Sequence, residues 1–345
     1  MFSEQNKFYV FRQGEGKIPV ISYQNDHTLQ MGITDRTSFI KNVSLAVRGI
    51  GASFSCDMDD HGIIHSVFQD DIGTIFYQTL PGSYAVPMTI LTSKDPSPQN
   101  KFLQIFCSNN KICLFYVLKH GERYLLACQV ISGQIVKNPI AVDYICPDSY
   151  GLRPYTVVHD EIGNFKLIYT RKTEIDEKII CRNFMTSNMT MSPPEEIQIN
   201  CVDKLLYPRG IRLKDGRSLI CHTAYDGKMS YPIISLYNGE WQNIKITDDR
   251  TNSFGPFYPV LSDGHIIIYS VTEKNVIYYS TKLSELSLTK NENWNYKQTI
   301  LSQTSLPIPI VYKSLHPDEK KLEFSEMLPG YLNGGLKLFF YNPWI

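Results

Sequence analysis

One small unit recurs along this chain, and the recurrence narrows its possible folds more than any other feature. Residues 155–170 show it most clearly. Tyr155-Thr-Val-Val158 reads as a strand, Asp160, Glu161 and Gly163 supply a turn, and Phe165-Lys-Leu-Ile-Tyr169 reads as the return strand. Glycine takes the positive φ of a short hairpin turn, and an Asp side chain can accept from backbone N–H groups two residues on. The same unit appears at Asp59-Asp60-His61-Gly62, at Leu213-Lys214-Asp215-Gly216 and at Leu261-Ser262-Asp263-Gly264, each followed by an apolar run. Degenerate copies surround Gly16, Asn110 and Glu319.

With Gly16, Gly62, Asn110, Gly163, Gly216, Gly264 and Glu319 as anchors, the steps are 46, 48, 53, 53, 48 and 55 residues. A period of roughly 50 residues with strand-only content is the mark of a β-propeller built from four-stranded blades. The expected fold is therefore all-β, a β-propeller of four-stranded antiparallel blades, as one domain over residues 1–345. Seven anchors predict seven blades; six is the alternative, if the weak first and last copies share a blade. The strongest single hairpin signal is Asn238-Gly239, between strands ending at Tyr237 and starting at Trp241. The tail predicts strands at 308–312, 322–327 and 336–341. Residues 284–293 could hold one helical turn.

Composition bounds the partners. The chain has 345 residues, 43% of them apolar and 12% aromatic, with 34 basic against 34 acidic side chains and a pI near 7.1. That balance argues against nucleic acid, which needs a basic excess. No segment approaches the roughly 18 apolar residues of a membrane span. The first residues lack an apolar stretch of signal-peptide type, which predicts a cytoplasmic protein. Eight cysteines lie singly in predicted strands without a CxxC, as buried reduced thiols do. Cys107 and Cys113 flank one turn and are the pair to watch for a disulfide.

The candidate chemistry falls into two sets. Asp59, Asp60, Asp160, Glu161, Asp215 and Asp263 occupy equivalent hairpin turns. A glycosidase needs two carboxylates facing one substrate, whereas acids so distributed read as turn formers. The second set leads into the first strand of each blade: Arg48, Arg153 in Leu152-Arg-Pro-Tyr155, Arg209 in Tyr207-Pro-Arg-Gly210, and Tyr258 in Pro256-Phe-Tyr-Pro259. In a propeller the first strand lines the channel, so these residues are expected at its mouth. Arg48, Arg153 and Arg209, with Tyr155, Tyr207 and Tyr258, are the predicted ligand-binding residues. Three guanidiniums there could grip a carboxylate. The eight histidines show no HxH or HExxH spacing, and no P-loop, dinucleotide fingerprint or GxSxG is present, so neither metal nor cofactor is expected.

The acid-x-Gly-x-apolar hairpins resemble the Asp-box repeats of sialidase-like propellers. The three arginines resemble that family's arginine triad, with Arg153 in Arg-Pro-Tyr nearest its first motif. The resemblance implies a glycoside hydrolase acting on acidic sugars, although no nucleophile pair or acid can be placed. The opening Asn6-Lys-Phe-Tyr-Val-Phe-Arg12 with Ile18-Pro-Val-Ile-Ser-Tyr-Gln-Asn-Asp26 is similar to propeller proteins of spore-forming anaerobic bacteria. That similarity implies no activity and leaves open a structural or surface-associated role in a spore or at the cell surface. The favoured expectation is a non-catalytic module presenting a rigid face to a protein or glycan, with a homo-oligomer or assembly as a further option. The alternative is the sialidase-like hydrolase.

Overall fold

The computed structural model describes residues 7–12, 18–23, 28–34, 39–44, 50–80, 87–93, 99–108, 110–133, 135–146, 152–160, 163–172, 177–199, 204–246, 256–262, 264–271, 275–286, 294–300, 306–314, 322–323, 328–333 and 337–340. Backbone packing divides the chain into two compact units. One holds residues 4–145 and 312–319, the other residues 1–3, 146–311 and 320–345.

In the first unit, β1 (Phe8–Arg12), β2 (Ile18–Tyr23), β3 (Leu29–Thr34) and β4 (Phe39–Ser44) form an antiparallel meander, as do β5 (Ile50–Met58), β6 (Ile64–Asp70), β7 (Ile75–Leu80) and β8 (Met88–Leu91). The third sheet runs β9 (Gln104–Ser108), β10 (Lys111–His120) and β11 (Arg123–Ser132). Its outer strand is split into β12 (Ile135–Val136) and β13 (Ile140–Ile145), both pairing with β11.

The second unit continues with β14 (Tyr155–His159), β15 (Phe165–Lys172) and β16 (Glu177–Met185), against which β17 (Thr190–Met191) and β18 (Glu195–Glu196) both pair. Next come β19 (Lys204–Arg212), β20 (Ser218–Tyr225), β21 (Ser230–Tyr237) and β22 (Trp241–Lys245). They are followed by β23 (Tyr258–Ser262), β24 (His265–Val271), β25 (Asn275–Lys282) and β26 (Asn295–Ile300). The helical turn expected after residue 283 is one 3-10 turn, Leu283–Glu285. The tail supplies β27 (Leu306–Ser314), β28 (Leu322–Glu323), β29 (Leu328–Asn333) and β30 (Lys337–Phe340).

The fold is an all-β propeller with six blades, not seven. Six sheets account for the described strands, and β27, β29 and β30 belong to the same sheet as β1–β4. The tail strands therefore complete the blade of β1–β4, and counting the Gly16 and Glu319 anchors as separate blades added one; Glu319 itself lies outside the described residues. The strand expected at 308–312 lies within β27, and that expected at 336–341 covers β30. Of the strand expected at 322–327, residues 322–323 form β28, which pairs with β23, and 324–327 lie outside the described residues; a further strand, β29, falls on Leu328-Pro-Gly-Tyr-Leu-Asn333. Its Pro-Gly pair disguises it as a turn in sequence.

Sheets that pack against others on both faces explain the unbroken apolar runs. In β10 every residue from Ile112 to Val117 is buried, where a strand with one wet face would alternate. One core joins β6 and β7 to β9–β11 through Val67, Ile75, Ile105, Leu114 and Tyr116. Another joins β19–β22 to β23–β25 through Ile211, Leu236, Phe257, Leu261 and Tyr279.

A first strand is an edge strand, and its outward amides need partners. Side chains of the preceding blade supply them. Ser53 Oγ, Ser55 Oγ and Asp57 Oδ2 accept from the amides of Leu103, Ile105 and Cys107 at 2.9, 3.1 and 2.6 Å. The alternation works because residues two apart on β5 share a face. Thr156 Oγ1 accepts from Gly210 at 3.2 Å, and Thr223 Oγ1 from Phe257 at 3.1 Å, in the same way.

All seven described cysteines are free, Cys201 lying outside the described residues. Cys107 pairs across the ladder with Ile112, and Cys113 with Phe106, so the two thiols project from opposite faces and cannot bridge. Burial pushes the thiols of Cys56, Cys113 and Cys181 up to about 12.

Candidate ligand site

The turn acids behave as their local chemistry dictates. Asp59 Oδ1 accepts from the amides of His61 and Ile63 at 3.0 and 2.8 Å, and Gly62 turns the chain at φ 79°. Asp160 Oδ1 accepts from Asn164, and Asp215 Oδ1 from Arg217. Arg217 also grips Asp215 Oδ2 through two nitrogens at 2.8 and 2.6 Å, which holds that carboxyl below its ordinary value. Asp60 is exposed; Glu161 and Asp263 lie outside the described residues. Two further acids of this kind, absent from the sequence-derived set, turn the second-to-third strand hairpins. Asp70 caps Ile72 and Thr74, and Asp226 caps Lys228 and Met229. Their signal was present in the Asp-x-x-Gly73 and Asp-Gly227 spacings.

Asp59 has a second role. Its Oδ2 lies 3.2 Å from His65 Nε2, and His65 Nδ1 lies 2.7 Å from the Tyr77 hydroxyl. An ionised carboxylate only accepts, so Nε2 donates to Asp59, and Nδ1 and the Tyr77 hydroxyl share the second hydrogen bond. Burial would raise the Asp59 pKa, but the Ile63 amide, the His65 contact and the His61 amide together bring it below the ordinary value.

The arginine–tyrosine set is partly assembled. Arg153 and Arg209 are 5% and 0% exposed. Arg153 Nε donates to the Tyr155 carbonyl at 2.9 Å, and its guanidinium carbon lies 5.6 Å from the Tyr155 ring centroid. Arg209 Nη1 donates to the carbonyls of Arg153 and Pro208 at 3.1 and 2.7 Å. The Arg209 guanidinium lies 5.7 Å from the ring of Tyr258, which stacks on Tyr269 at 5.4 Å. Tyr155, Tyr207 and Tyr258 are buried. Arg48 lies outside the described residues. The structure thus brings together Arg153, Arg209, Tyr155 and Tyr258, with the described hydrogen bonds running to backbone carbonyls.

Tyr207 occupies a bulge. The β19–β20 register slips between Leu206 and Arg209, and Tyr207 adopts φ 50°, strained for an aromatic residue. His222 lies opposite, between the partners of Leu206 and Arg209. It is fully buried, and neither ring nitrogen has a hydrogen-bond partner among the described residues. Burial drives its pKa down to about 3, so the imidazole is neutral. Among the described residues no three His, Cys, Asp or Glu side chains are grouped to hold a metal, and no helix is long and apolar enough to cross a membrane.

These features define a β-propeller with buried arginines and turn-bound acids. No family model matches the chain, and no curated protein matches it. Among solved structures it is similar to the polysaccharide lyase Uly1, at 8% identity and a TM-score of 0.52 over 96% of this chain and 87% of that one. A protein of unknown function from Dyadobacter fermentans matches at 11% identity and a TM-score of 0.49, covering 86% of this chain and 93% of that one. The fucose-specific lectin of Aleuria aurantia matches at 11% identity and a TM-score of 0.48, covering 87% and 96%. Identity this low carries the fold alone.

Proposed function

We propose that the chain is a non-catalytic β-propeller module that binds a glycan. The observation that carries the reading is the engagement of its charged side chains. Asp59, Asp70, Asp160, Asp215 and Asp226 each hold their own hairpin. Most glycoside hydrolases need a carboxyl pair aimed at one bond across a gap of roughly 5 to 10 Å; these five acids, tied to separate turns, do not supply it. Arg153 and Arg209, expected from sequence as ligand contacts, are assigned here to the framework: both are buried, Arg153 Nε donates to the Tyr155 carbonyl, and Arg209 Nη1 donates to the carbonyls of Arg153 and Pro208. Ligand contact then falls to exposed rings such as Tyr144 and Tyr296. An aromatic ring with a polar handle offers a flat apolar face and a directional bond, which suits a sugar.

A glycan array read with the full chain, followed by mass analysis of the bound sugars, tests this. The expected result is saturable binding with every glycan recovered intact. Recovery of cleaved products would overturn the non-catalytic part, and an array with no binding would overturn the glycan part.

A further inference from the structure

The β10–β11 hairpin brings together three side chains that the framework does not use. His120 pairs directly with Arg123, and β13 places Tyr144 opposite Leu125. Residues two apart on a strand share a face, so Arg123 and Leu125, with their partners His120 and Tyr144, project from the same side of the sheet. A bulge in β13 sets this register: Asp143 pairs with Leu126 and Ala141 with Ala127, leaving Val142 between them. Without it Tyr144 would not meet the hairpin tip on this face.

The contacts follow. The Arg123 guanidinium carbon stands 5.3 Å from the Tyr144 ring centroid. His120 Nδ1 lies 2.9 Å from the Tyr144 hydroxyl, with the two rings 22° apart. All three side chains are exposed. Arg123 makes no hydrogen bond or ion pair among the described residues, although Glu122 is its chain neighbour. Lys119 and Glu122 flank the tip and offset each other in charge, and half-buried Asp143 accepts from the Tyr144 amide. Gly121 makes the turn at φ 61° with open space where a side chain would stand. The hairpin therefore holds a ring and a guanidinium fork in fixed relation, with the fork's donors unmatched among the described residues.

We infer that this shelf binds a carboxylate-bearing sugar, a hexuronate unit of a glycan. The planar guanidinium takes the carboxylate through two parallel N–H···O bonds, a match a point charge cannot make. The uncovered part of the Tyr144 ring stacks on the apolar face of the sugar, and His120 Nε2 bonds a hydroxyl. This rests on the glycan-binding reading and adds the substrate class and the site.

Titration calorimetry of the full chain with a panel of hexuronate oligomers, and with their methyl esters, tests it. Esterification removes the charge and keeps the ring. The expected result is binding of an acidic oligomer that weakens roughly tenfold or more on esterification, in Arg123→Gln and in Tyr144→Ala, and that weakens as salt rises. Both substitutions are at exposed positions, so the fold is retained. Unchanged affinity in either variant, or on esterification, overturns the site while leaving the glycan-binding reading intact. Selective binding of neutral or sulfated glycans does the same. Failure to bind any sugar, on the array or in the calorimeter, overturns both.

Discussion

His222 is the residue where burial and ionisation conflict most sharply. Its pKa falls from an ordinary 6.5 to about 3 in the folded protein. The unfolded chain therefore binds a proton that the folded chain refuses. Stability from this group is complete above pH 6.5 and is lost progressively as pH falls toward 3, by up to about 1.4 kcal/mol per pH unit. Between roughly pH 6.5 and 5.5 the carboxylates stay mostly ionised, and comparison with a His222 variant separates this group from the other seven histidines. Urea midpoints of the parent protein should fall across this window, and those of His222→Leu should fall distinctly less. Removing a buried polar group without a partner is nearly neutral or stabilising, so the variant should be no less stable at pH 7. Equal pH slopes would show that His222 is not the group responsible. At this scale the sequence is legible where chemistry is local. Asp59, Asp160 and Asp215 announce their turns through a nearby glycine. The fate of Arg209 is not legible, because one carbonyl it reaches belongs to Arg153, 56 positions away in the chain.

Among the elements, the side-chain ladder between β5 and β9 best explains how one blade is fastened to the next. Ser55 accepts from the Ile105 amide and also from the Tyr9 hydroxyl at 3.2 Å. Ser55→Ala leaves a buried amide without its acceptor, and such a loss costs about 1 to 3 kcal/mol. Chemical unfolding should show that drop with an unchanged denaturant slope, since the exposed surface on unfolding is the same. A stability equal to the parent's would show that the ladder is incidental. The alternation Ser53-Phe-Ser-Cys-Asp57 carries this ladder in plain sight, yet in sequence it reads only as a strand with one polar face. Register was less accessible still. Tyr144 reaches Arg123 only through the β13 bulge, and β29 is hidden by its Pro-Gly pair.

For the whole molecule, the period near 50 residues was sufficient to read the fold class, because each copy is one hairpin of a blade. It was insufficient to count blades. The N-terminal strands and the tail strands β27, β29 and β30 look independent along the chain and share one sheet in space, which makes six blades from seven anchors. The functional account turns on the same distinction between position along the chain and surroundings in space. Arginines leading into first strands look like ligand contacts by position; the burial and carbonyl partners of Arg153 and Arg209 are what support the proposal that these two are fasteners. Arg209→Ala decides this most directly, measured as the urea unfolding midpoint. A fastener removed from full burial takes with it two hydrogen bonds and its packing on Tyr258. The account predicts a loss of about 2 to 4 kcal/mol. Residues kept for ligand binding are commonly neutral or costly to stability, so an unchanged or raised midpoint would contradict the framework assignment and return Arg209 to the ligand site.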